Sequence, residues 1–82
     1  MTHETIKRQA IDRITKNIEE FKTLVNDNAE VDNAKFCLIV QAYAYIHGQL
    51  MAYRHTNTFT FEEKDSYKEM IDKIFDKATI KQ

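Results

Sequence analysis

Apolar residues recur at three- and four-residue steps through the first third of the chain: Ile6, Ala10, Ile11, Ile14, Ile18, Phe21, Leu24 and Val25. That spacing lines one face of a helix, predicted over residues 2–25. The opposite face carries Glu4 before Arg8 and Asp12 before Lys16, acid-before-base pairs at the i,i+4 spacing that supports a helix. The run Ile11, Ile14, Ile18, Phe21, Val25 alternates steps as a coiled-coil seam does. Two heptads are too few for a coiled coil, so the stripe reads as an ordinary core-facing one.

The middle third has a different pattern. Residues 36–53 hold no formally charged side chain and are fenced by Lys35 and Arg54. A second helix is predicted over residues 31–55. Its large apolar face comprises Ile39, Ala42, Tyr43, Ile46, Leu50 and Tyr53. Nearly opposite runs a strip of Cys37, Gln41, Ala44, Gly48 and Ala52, with Phe36, Val40, His47 and Met51 between the two. A helix that is apolar all round has to be buried on every side. Two short neighbours cannot cover it, which points to a partner surface. A small-residue strip admits a close helix, and a mid-helix glycine, costing about 1 kcal/mol relative to alanine, needs such a reason.

The last third opens on Thr60-Phe-Glu-Glu63. This is a capping box, in which threonine and glutamate satisfy each other's backbone amides, so the third helix is predicted to start at Phe61. Tyr67, Met70, Ile71, Ile74 and Ala78 line its inner face, with Phe75 at the edge and Lys73, Lys77 and Lys81 toward its negative end. The first joint is polar, residues 26–30. Asparagine there is suited to a left-handed helix end, and Asp27, Asn28 or Asp32 to capping the next helix. Runs such as Thr56-Asn-Thr-Phe-Thr are too short and polar to build a sheet. The predicted fold is all-α: one domain over residues 1–82, a three-helix bundle-like unit with a central apolar helix, dimeric.

Length and composition narrow the functional classes. A chain of 82 residues has a marginal core without a staple. Its single cysteine, Cys37, forms no intramolecular disulfide and suits a reducing, cytoplasmic location. A net charge of −1 gives no electrostatic footprint for nucleic acid or an anionic membrane. Gln41, His47, Gln49 and the tyrosine hydroxyls interrupt the central run and argue against a membrane span. The start of the chain has no apolar targeting segment.

Candidate chemistry is sparse. His47 reads as a structural histidine on an apolar helix, with pH sensing or ligand contact as the alternative. His47 and His55 lie about 12 Å apart along a helix and cannot share a metal unaided. Cys37 has no adjacent cation to activate it. No phosphate loop or nucleophile motif occurs. No catalytic residue, cofactor or metal is therefore expected. The expected contact residues for a protein partner or a second copy are Gln41, Ala44, Tyr45, Gly48, Ala52, Tyr53 and Arg54. Tyr45 is predicted to point away from Tyr43 and Tyr53.

Three functions follow from these features. The leading one is a non-catalytic regulator acting through protein–protein contact at the second helix. The second is a helical oligomer in which His47, Arg54 and the tyrosines line an intersubunit pocket for a small ligand or nucleotide. The third is a nucleic-acid-binding protein, disfavoured because no basic stripe exists. In size and helical character the chain resembles the small cytoplasmic accessory proteins of large tailed phages, a group that includes lysis-inhibition antiholins. The resemblance implies a regulatory viral protein in the host cytoplasm, whose partner is the cytoplasmic part of a holin and whose effect is delayed lysis. It rests on general character rather than a motif and carries over no site residues.

Overall fold

The computed structural model describes residues 2–26 and 33–80. Three helices are present, α1 His3–Asn26, α2 Asn33–His55 and α3 Phe61–Ile80, and no strand occurs among the described residues. The all-α reading holds. The expected caps at Asp27, Asn28 and Asp32, residues 31–32 at the predicted start of the second helix, and Lys81 lie outside the described residues.

Each helix starts or stops for a visible reason. The Thr2 hydroxyl accepts from the Thr5 amide at 3.2 Å, satisfying one of the free donors at the start of α1. Thr60 and Glu63 form the predicted reciprocal box: the Thr60 amide donates to Glu63 Oε1 at 3.0 Å, and the Glu63 amide donates to Thr60 Oγ1 at 3.2 Å. The end of α2 uses a device expected at the other joint. Asn57 adopts φ 61°, its amide donates to the Arg54 carbonyl at 3.1 Å, and the Thr58 amide donates to the Tyr53 carbonyl at 2.8 Å. This is a Schellman ending with asparagine in the left-handed position usually given to glycine.

The helices run up, down and up. Asn17 Nδ2 donates to Gln49 Oε1 at 2.7 Å and Phe21 packs near Tyr43, so α1 and α2 are antiparallel. Phe36 meets Phe75 and Tyr43 meets Asp72, so α3 is antiparallel to α2. Lys7 pairs with Glu63 at 2.7 Å, near the starts of the parallel helices α1 and α3. All three helices pack on one another. α2 is therefore one corner of a triangle, not a central helix flanked on two sides.

One core fills the triangle. Ala10, Ile14, Ile18, Phe21 and Val25 come from α1, Ile39, Ile46 and Leu50 from α2, and Ile71, Ile74 and Ala78 from α3. Phe59, from the α2–α3 joint, closes one end. It is buried and lies between the rings of Tyr53 and Tyr67. Two expected core residues fall outside: Ile6 and Met70 are exposed. Each is well off the centre of its own apolar stripe, and a corner of a triangle covers only a stripe about 100° wide.

Candidate interaction surface

The side of α2 turned from the triangle is uncharged along most of its length. Cys37, Gln41, Ala44, Gly48 and Ala52 are all exposed, in the strip the helical spacing defines. Larger apolar side chains flank them in the open: Leu38 at 55% exposure, Val40 at 39%, Tyr45 at 63% and Met51 at 48%. The buried set of Ile39, Ile46 and Leu50 lies on the far side of the helix, so the uncovered arc is about half the circumference. Sequence spacing identified the small residues. It placed Val40 and Met51 only as intermediate and left Leu38 unassigned, although the same wheel sets all three beside the strip.

The space over Gly48 is empty. A Cβ built there meets nothing within 4 Å. The glycine is therefore not required by packing within the chain, and the helix tolerates it at a cost of about 1 kcal/mol relative to alanine.

Polar anchoring fixes both edges of the face. On the α1 side, Gln49 accepts from Asn17 and donates to the Tyr45 hydroxyl at 3.5 Å. Tyr45 stands between two clefts. One is lined by Gln9, Asp12, Arg13, Lys16 and Asn17; the other by Asn17, Glu20, Phe21, Leu24, Ala42 and Ile46. On the α3 side the Tyr43 hydroxyl donates to Asp72 Oδ1 at 2.5 Å, and Lys68 donates to Asp72 Oδ2 at 3.0 Å. The Tyr43 donor and the neighbouring Lys68 hold the Asp72 carboxyl below its ordinary range. The same hydrogen bond, together with burial, raises the Tyr43 phenol. His47 stacks on Tyr43, ring centroids 6.2 Å apart and planes within 2°.

The expected contact residues divide into two groups. Gln41, Ala44, Tyr45, Gly48 and Ala52 share the outward face. Tyr53 and Arg54 do not: Tyr53 packs edge-on against Phe59, centroids 5.3 Å apart, and the Arg54 guanidinium covers the Phe61 ring at 3.7 Å while donating to Asn57 Oδ1. Their half-buried side chains belong to the α2–α3 corner. Tyr45 likewise points away from His47 and Arg54, which rest on Tyr43 and on Phe61 about two turns apart along α2.

Among the described residues no group of three His, Cys, Asp or Glu side chains is placed to hold a metal ion. No helix of the described residues is long and apolar enough to cross a membrane. Comparison of the chain with protein-family models, curated proteins and solved structures finds no match.

Proposed function

We propose that the chain is a non-catalytic regulatory protein that acts by protein–protein association through the outward face of α2. One observation carries the reading: an uncharged face with four large apolar side chains in the open, on a chain whose residues are 30% charged. Apolar patches of this kind mark interaction sites on small globular proteins. Burying a few hundred Å² at about 25 cal/mol per Å² yields several kcal/mol before the entropic cost of joining two bodies. The phage resemblance supplies one defined candidate to assay, the cytoplasmic part of a holin, with delayed lysis as the effect.

Affinity capture with the wild-type chain and a Gly48→Lys variant tests this. Lysine has space at that position and improves the helix, so the variant folds, while its charge sits in the middle of the face. The reading expects every protein bound by the wild type, a second copy included, to be lost or strongly depleted with the variant. Equal capture by both proteins overturns it.

A further inference from the structure

We infer that the occupant of the α2 face is a second copy of the chain, packed antiparallel about a two-fold axis that passes between the two α2 helices beside Gly48. The inference rests on the reading of that face as an interaction surface and adds the identity and direction of the partner.

Three observations support it. The face carries no charge from Leu38 to Ala52, so it offers no ionic address to a charged partner and suits a surface equally uncharged, such as its own. Bulk is distributed unevenly about Gly48, with exposed Tyr45 on one side and exposed Ala52 on the other. An antiparallel copy centred beside Gly48 sets the tyrosine of each chain over the alanine of the other. A parallel copy instead sets Tyr45 against Tyr45 and Cys37 against Cys37.

The third observation is the charge order on the neighbouring edge of α1. The Asn17–Gln49 hydrogen bond and the Phe21–Tyr43 ring contact fix the relative height of the antiparallel helices α1 and α2. At that height the midpoint between Arg13 and Glu20 lies level with Gly48 and Gln49. Arg13 lines the cleft on one side of Tyr45, together with Asp12 and Lys16, and Glu20 is the charged residue of the cleft on the other. Both Arg13 and Glu20 are exposed. A two-fold axis perpendicular to the helices keeps this edge on the same side of both copies and reverses its direction. Arg13 of each copy then comes opposite Glu20 of the other. Because the two residues are about 10 Å apart along α1, the operation forms the pair twice.

Charge reversal tests the arrangement, read by sedimentation equilibrium on the full chain. Wild type is expected to be a dimer. Arg13→Glu and Glu20→Arg, each setting like charges opposite one another twice, are expected to weaken it by about tenfold, in keeping with the small worth of exposed pairs. The double variant Arg13→Glu/Glu20→Arg restores the opposite-charge pairs and is expected to return to wild-type affinity. The unmodified Cys37 adds a second reading: in the antiparallel dimer the two thiols lie about 33 Å apart along the axis, so mild oxidation is expected to leave the dimer uncross-linked. A wild type that stays monomeric at high micromolar concentration overturns the second copy, while leaving the α2 face open to a different protein. A dimer insensitive to both charge reversals, or one readily cross-linked through Cys37, overturns the antiparallel pairing. A dimer unaffected by Gly48→Lys overturns both this inference and the reading of the face.

Discussion

Tyr43 and Tyr45 stand two residues apart on α2 and serve opposite sides of it. The first is pinned against α3 by its hydrogen bond to Asp72 and its contact with Phe75; the second stands in the open at the head of the uncharged face. A helix turns about 200° over two residues, so one short sequence supplies both a packing residue and an exposed aromatic. The contrast organises the molecule: the α3 side of α2 is anchored, and the outward side is left uncovered by the other two helices.

Replacing Gly48 separates folding from association. Gly48→Ala is expected to raise the stability of the monomer by about 1 kcal/mol, or about 4–8 °C in Tm for a domain of this size, since nothing obstructs the new methyl group. Gly48→Lys keeps most of that gain while opposing association. Thermal unfolding at low concentration, followed by circular dichroism, checks the sign.

The α2–α3 joint has one indispensable ring. Phe59 is buried among Tyr53 and Tyr67, and Phe59→Ala is expected to cost about 3–5 kcal/mol in urea unfolding. Phe61, two residues on, is mostly exposed beneath Arg54, and Phe61→Ala is expected to cost less than about 1 kcal/mol. Equal losses from the two variants would contradict the assignment of Phe59 to the core.

Much of this was legible before the structure, for reasons that differ by element. The three helices follow from the apolar period, and the start of α3 follows from Thr60 and Glu63, because a capping box is a local device written in four residues. The outward strip of α2 followed from the same period, since Gly48, Ala44 and Gln41 sit opposite Ile39, Ile46 and Leu50. Phe59 was not legible. It lies in a polar joint where no period applies, and only the closure of the chain by Asn57 swings it inward. Tyr53 and Arg54 were expected as contacts because tyrosine and arginine are common at interfaces, yet their helical positions belong to the α3 corner. Whether α2 lies in the middle or at a corner depends on how α1 meets α3, which no local pattern records.

Acid is expected to loosen the bundle through two carboxylates. Hydrogen bonding from Lys7, followed by the Thr60 amide, lowers Glu63 below its ordinary range, and the Tyr43 hydroxyl with Lys68 does so for Asp72. A group depressed on folding contributes stability above its unfolded pKa, and the contribution is lost as pH falls through the folded value. Urea midpoints should therefore hold near neutrality and decline below pH about 4.5. Glu63→Gln keeps the cap but not the charge, and is expected to flatten part of that decline. A wild-type midpoint unchanged down to pH about 3 would contradict the sign.

Tyr43→Phe removes the hydrogen bond to Asp72 while leaving the ring against Phe75. The expected loss is about 1 kcal/mol, the worth of an ordinary hydrogen bond and less than that of a bond to a buried charge, because the site is half-exposed. Asp72→Asn in the Tyr43→Phe background should add little, and a double-mutant cycle in urea measures that coupling.

The most direct measurement of the central claim is a concentration series of amide NMR spectra of the labelled chain, from low micromolar to millimolar. The account predicts concentration-dependent shifts centred on Gln41, Ala44, Tyr45, Gly48 and Ala52 and reaching Arg13 and Glu20 on α1, with the outward residues of α3, Asp65, Glu69 and Lys73, unmoved. Shifts centred on α3, or an α2 whose amides do not respond over the whole range, would contradict it.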